Sequence, residues 1–149
     1  MIFLGADHRG YNLKEKIKGW LSEWGYEHED MGAFEYDKDD DYPDFISKVA
    51  EKVSEDADNS KGIVLGGSGQ GEAMVANRYP NVRAAVYYGG NEEIIKLSRE
   101  HNNANILSLG VSFVDDKTTE KAVRLWLETP FSGEERHKRR IEKFKSLKV

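Results

Sequence analysis

The chain has 149 residues, 38% hydrophobic and 33% charged, with a net charge of −5 and no cysteine. That length suits one compact domain with a real core. The missing cysteines exclude a disulfide scaffold, a cysteine nucleophile and thiolate metal sites, and the acidic balance argues against a general nucleic-acid binder. No apolar run approaches the ~20 residues of a membrane span and no signal-peptide pattern opens the chain, so a cytoplasmic protein with no membrane partner is expected.

Ile2, Phe3 and Leu4 read as a short buried strand ending in Asp7-His8. Leu13, Ile17, Leu21 and Trp24 recur at helical steps, with Gly25 as the stop. Residues 26–34 read as a weaker strand, and Glu35–Asp41 as an acidic loop. Pro43 suits the first turn of a helix whose apolar face is Phe45/Ile46, Val49/Ala50 and Val53. Gly62–Leu65 is a third strand, running into a glycine-rich loop and a helix through about Arg78. Val82–Tyr88 is a fourth strand, and Ile94, Leu97 and His101 mark the next helix. Ile106–Leu109 is a fifth strand, Ala122–Leu127 lie in another helix, and the chain is helical again from Arg136.

Strands alternating with helices predict an α/β fold, a parallel sheet covered on both faces. No linker or repeat divides the chain, so residues 1–149 are read as a single domain. Ligands in such sheets bind beyond the carboxyl ends of the strands. That rule selects Asp7-His8-Arg9, the loop 66–71 and the segment reaching His101-Asn102.

Four glycines occupy the six positions from Gly66 to Gly71. Such a loop brings backbone close to a ligand and aims N–H groups at anionic oxygen. The familiar glycine motifs fail. The dinucleotide pattern counted from Gly67 needs a glycine where Glu72 stands, and the P-loop lysine is missing. The nucleophile elbow breaks at Gln70. A serine hydrolase built from Ser68, Asp115 and His137 has a permissible chain order but lacks that elbow. Glu72 follows the loop directly. It is either a carboxylate favoured by a helix N-terminus or a general base whose oxyanion product the loop and Ser68 stabilise. Asp7 and His8 either cap the next helix or face a ligand, and four scattered histidines suggest no metal motif.

Charge is uneven along the chain. The last sixteen residues hold seven Lys/Arg and three Glu, a net of +4, which leaves −9 on residues 1–133. Arg136 and Arg140 share a helix face beside His137, an arrangement suited to phosphate. The alternative is a solvated basic tail.

Taken in order, GADHRGYNLKEKI, DYPDF, GIVLGGSGQGEAMVANR, VRAAV, SREHNNANIL and TPFSGEERHKRRI resemble the type B ribose-5-phosphate isomerases, which share a fold with the galactose-6-phosphate isomerase subunits. The resemblance implies a Rossmann-like three-layer αβα sandwich with a five-stranded parallel sheet. It implies an aldose–ketose isomerase with no metal and no cofactor, working as a homodimer or tetramer with active sites at the subunit interface. The substrate would be ribose 5-phosphate or, alternatively, a six-carbon sugar phosphate; a non-catalytic sugar-phosphate binder is the rival reading. One branch of the family uses a cysteine at the end of strand three as its base. Gly66 stands there, so this chain resembles the branch whose base is the glutamate, here Glu72.

By matching position, Glu72 would move the proton through a cis-enediolate held by Ser68 and the loop of Gly67, Gly69 and Gly71. Asp7 would contact the reacting hydroxyls, His101 would assist ring opening, Asn102 would hold a sugar oxygen and Tyr42 would line the pocket. His8, Arg136, His137 and Arg140 would grip the phosphate, and the helical segment of about residues 134–149 would pack on a partner subunit. One departure stands out. The family often reads G-x-R after strand five, whereas this chain has Gly110-Val111-Ser112, leaving Arg136 and Arg140 as the expected guanidinium ligands.

Overall fold

A computed structural model describes residues 1–148. Five strands form one fully parallel sheet: β1 (Ile2–Ala6), β2 (His28–Asp30), β3 (Lys61–Gly66), β4 (Ala84–Tyr87) and β5 (Ile106–Gly110), in the order β2-β1-β3-β5-β4. Helices α1 (Tyr11–Glu23), α2 (Pro43–Glu55), α3 (Gln70–Ala76), α4 (Glu93–Glu100) and α5 (Asp116–Glu128) connect or follow them, and α6 (Glu135–Glu142) leads into a short 3-10 turn at Lys143–Ser146.

Strand alternation sorts the core into two layers. Ile2, Leu4, Ala6, Ile63, Leu65, Leu107 and Leu109 face Leu13, Ile17 and Leu21 of α1, Ile95 of α4 and Val123 and Trp126 of α5. Phe3, Val64 and Ile106 point the other way, onto Ile46, Val49, Ala50 and Val53 of α2 and Ala76 of α3. The three-layer αβα sandwich is therefore present. β3, paired on both sides, is the central strand, and it carries the glycine loop at its carboxyl end.

Four boundaries and one helix face differ from the sequence reading. β2 shrinks to Asp30 and its two predecessors, because Met31 and Ala33 bond the carbonyls of Leu4 and Ala6 without continuing the ladder. α3 stops at Ala76, where the amides of Arg78 and Tyr79 turn back on Val75 and Ala76. β4 begins at Ala84, after Arg83 diverts its amide to the Asn105 side chain. The final helix runs only to Glu142, and Val149 lies outside the described residues. On α4 the expected face of Ile94 and Leu97 is exposed, while Ile95, Ser98 and Arg99 turn inward. Arg99 is tolerated there because its guanidinium donates to Thr129 O, Asn103 Oδ1 and Ala104 O.

A second buried cation anchors the opposite edge. Lys14 is fully buried, with Nζ 2.5 Å from Asp30 and 3.2 Å from Glu15. No helix among the described residues is long and apolar enough to cross a membrane.

Candidate active site

The carboxyl ends of β1, β3 and β5 open into a cleft of about 620 Å³. It gathers Asp7 and His8 from the end of β1, Tyr42 from the start of α2, and Gly67, Ser68, Gly71 and Glu72 from the loop after β3. Arg9, Ser112 and Phe113 complete the lining.

The loop is held by contacts that only glycine permits. Gly69 has φ of +77° and its α-carbon faces the backbone of β5, where an added Cβ would meet Gly110 N and Leu109 C at 3.1 Å. Ser108, fully buried on β5, donates its hydroxyl to Gly69 O at 2.7 Å and fixes the loop from beneath. The Ser112 amide donates to Gly67 O at 3.0 Å. Ser68 itself is exposed on the cleft side, its Oγ accepting from the Gln70 amide at 3.3 Å.

Glu72 lies in the first turn of α3 and is only 4% exposed. Its carboxylate folds back over Gly66, where any Cβ would overlap it. Burial pushes its pKa above the usual carboxylate range, its own backbone amide pulls the other way, and the nearby Asp7 charge adds to the rise. A carboxylate raised in this manner is a stronger proton acceptor than a solvated one. Gly71 lies against Tyr42: an added Cβ there would stand 2.5 Å from the phenolic oxygen.

Asp7 is buried, and its Oδ1 accepts the Arg9 amide at 2.9 Å. Asp40, from the acidic loop, reaches back to His8. Its Oδ1 accepts the His8 amide at 3.0 Å and lies 2.7 Å from His8 Nδ1. A carboxylate oxygen can only accept, so Nδ1 carries the proton and Nε2 remains for the cleft. The Asp40 hydrogen bond raises the His8 pKa, with burial opposing it and the Asp7 charge assisting. Asp7, His8 and Asp40 present three potential ligand atoms within 4.8 Å. The Nδ1–H bond to Asp40 commits that nitrogen as a donor, which a metal ligand cannot be.

The remaining candidates lie apart from this cleft. His101 closes α4 and stacks on His137 of α6, ring centroids 4.2 Å apart and 18° from parallel. His137 is buried. Its pKa is lowered by burial and then by His101 and Arg136, and its Nε2 has no hydrogen-bond partner among the described residues. Asn102 lines a different groove with Arg83, Ile141 and Phe144. Arg136 is exposed and pairs with Glu134 at 3.0 Å, and Arg140 is exposed one turn on. The chain thus holds two separate clusters: a cleft with Asp7, His8, Tyr42, the glycine loop and Glu72, and a basic, histidine-bearing group elsewhere.

The hydrolase triad is not assembled. Asp115 caps α5, accepting from the Thr118 amide at 2.7 Å, and the described residues show no hydrogen bond from it to His137. Two contributors escaped the sequence reading: Asp40 and Ser108. Asp40 and Ser108 act across more than thirty residues, and no local pattern marks them. Arg9 was selected with Asp7 and His8 at the end of the first strand but was given no role of its own.

The chain matches the ribose/galactose isomerase family over residues 2–144. It is 42% identical over 141 residues to ribose-5-phosphate isomerase B of Mycobacterium tuberculosis, covering 95% of this chain and 85% of that protein. Its structure resembles ribose-5-phosphate isomerase B of Mycoplasma genitalium, solved with bound ribulose 5-phosphate, at a TM-score of 0.92 and 39% identity, covering 97% of this chain and 93% of that one. The corresponding protein of Clostridium thermocellum superposes at 0.90 with 42% identity, covering 97% and 95%.

Proposed function

The chain belongs to the ribose/galactose isomerase family, and we propose that it interconverts ribose 5-phosphate and ribulose 5-phosphate with Glu72 as the proton-transfer base. The observation that carries the reading is the Glu72 carboxylate. It is buried at the mouth of the central strand, made more basic by that burial, and seated over Gly66, with Ser68 and Asp7 lining the same cleft. A cysteine base at position 66 would need the volume that Glu72 fills, so the geometry favours the glutamate branch.

In the open-chain aldose, the C2 hydrogen is acidic only because the C1 carbonyl can receive the electron pair. Glu72 removes the C2 proton, the C1=C2 double bond forms, and the pair moves onto O1. Ser68 and the amides of the Gly67–Gly71 loop stabilise that oxyanion. Glu72 then returns the proton to C1, and loss of the O2 proton leaves the carbonyl at C2. Asp7, held by the Arg9 amide, receives and returns the hydroxyl proton between O2 and O1. One carboxylate thus shuttles carbon protons while the other serves the oxygens.

Ring opening and the rest of the phosphate grip come from the second half-site, supplied by a partner subunit. The separation of His101, Asn102, Arg136, His137 and Arg140 from the Glu72 cleft supports a site shared between two copies. The His101–His137 stack supports a role for His137 in setting the position of His101, since His137 itself is buried.

The test is Glu72→Gln, which keeps shape and removes the base. Turnover of ribose 5-phosphate should fall by about 10³-fold or more, with ligand binding retained. Near-normal turnover overturns the assignment of the base, and activity confined to six-carbon sugar phosphates overturns the substrate.

A further inference from the structure

Within a single chain, the cleft has a charge problem that its own lining must meet before any partner's residues arrive. A sugar phosphate near neutral pH brings close to two negative charges. The cleft already holds the carboxylates of Asp7 and Glu72, both buried, and Asp40 is bound to His8. Among its lining residues, the one Lys or Arg is Arg9. Arg136 and Arg140, the guanidinium groups expected from the sequence, do not line it.

Arg9 is built for a ligand rather than for the fold. Its backbone is fixed, the amide donating to Asp7 Oδ1 at 2.9 Å, so the root of the side chain has a defined place at the end of β1. Its guanidinium makes no hydrogen bond or ion pair among the described residues, and the residue is exposed. That leaves all five N–H donors for an incoming anion. The side chain reaches Gly67, and so does that of Ser112. A Cβ placed on Gly67 would lie 3.8 Å from Arg9 Cζ and 3.7 Å from Ser112 Oγ. The Arg9 guanidinium and the Ser112 hydroxyl therefore both lie within 4 Å of one point on the cleft wall, beside Gly67. Ser112 is tied there through its amide to Gly67 O at 3.0 Å.

We propose that Arg9 is the phosphate-positioning residue of this cleft, supplying from the end of β1 the permanent positive charge that position 112, a serine, does not bring from the end of β5. Arg9 and His8, adjacent in sequence, then form a two-pronged grip, with the Ser112 hydroxyl as a neutral third donor. The proposal rests on the isomerase reading for the identity of the phosphate-bearing ligand.

The experiment uses the full chain and two ligands, ribose 5-phosphate and inorganic phosphate. Arg9→Ala should raise KM for ribose 5-phosphate and Kd for inorganic phosphate, the latter followed by calorimetry, each about 10- to 100-fold. The loss should fall on KM far more than on kcat, and it should shrink with unphosphorylated ribose as substrate. Adding Ser112→Arg to Arg9→Ala should restore most of the phosphate affinity, because the new guanidinium returns to the same corner. Arg9→Lys should sit between, keeping the charge and losing the fork. Unchanged KM and phosphate affinity in Arg9→Ala overturn the proposal, as does a fall in kcat equal on ribose and ribose 5-phosphate. Arg9-dependent phosphate binding in a chain that fails to isomerise ribose 5-phosphate overturns the isomerase reading and leaves the phosphate assignment standing. Isomerase activity indifferent to Arg9 does the reverse.

Discussion

Gly66→Ala places one methyl group where the Glu72 carboxylate sits. Its Cβ would overlap Oε1 and Cδ outright and stand 2.7 Å from Oε2, whereas ordinary contact begins at 3.4 Å. Even the farther oxygen must retreat by about 0.7 Å, and the nearer one by more than about 1 Å. A base displaced by about 1 Å loses on the order of 10²-fold in rate, about 2.7 kcal/mol on the barrier. The variant should therefore show kcat for ribose 5-phosphate down about 100-fold. Its deuterium isotope effect for substrate labelled at C2 should rise, since proton abstraction becomes more fully rate-limiting. Stability should change separately, by about 1–3 kcal/mol for the overpacking, measured by urea denaturation. The decisive comparison is the double variant. If the methyl acts only by moving the base, Gly66→Ala/Glu72→Gln is no slower than Glu72→Gln alone. A folded Gly66→Ala protein within threefold of the parent kcat, or a multiplicative double variant, refutes the reasoning.

The raised Glu72 pKa predicts that the acid limb of kcat/KM lies at higher pH than an ordinary carboxylate near 4.5 would give, measurable from a pH–rate profile. Asp40→Asn removes the main cause that lifts His8, so the alkaline loss of phosphate binding should move to lower pH. The stability that His8 draws from Asp40 is fully present below its ordinary value of 6.5 and fades as pH rises through the higher folded value. Parent and Asp40→Asn proteins should therefore differ more in melting temperature at about pH 5.5 than at about pH 8.5. Asp30→Asn leaves fully buried Lys14 with Glu15 as its remaining carboxylate, and should cost about 3 kcal/mol by urea denaturation, much of it recovered by adding Lys14→Met.

Periodicity and punctuation made most of the scaffold legible. The glycine loop declared itself because a strand-to-helix turn packed against β5 needs a positive φ at Gly69 and no side chain at Gly66. Helix α4 misled because it spans little more than two turns, over which Ile94/Leu97 and Ile95/Ser98 both fit helical spacing. The choice between them is made by Arg99, whose guanidinium is needed by the carbonyl of Thr129, thirty residues on and outside any local window. The same limit hid Asp40 and Ser108, and it hid the meeting of His101 and His137, thirty-six residues apart, through a ring stack. Residues at strand ends were found because topology sends them to one place. His101, Asn102, Arg136, His137 and Arg140 were also singled out from the sequence, but neither their spacing nor the family resemblance says which cleft they line.

The two clusters also differ in how firmly the fold holds them. Glu72 and the glycine loop hang from β3, whose residues from Gly62 to Leu65 are buried and paired on both sides, so their amides should exchange with deuterated solvent only through global unfolding. Helix α6 fully buries only His137, with Ile141 half-buried and its other residues exposed, so it can fray by itself at a small fraction of that free energy. Heat or mild denaturant should accordingly remove activity before the sheet melts, and saturating sugar phosphate should slow exchange in α6 more than in β3.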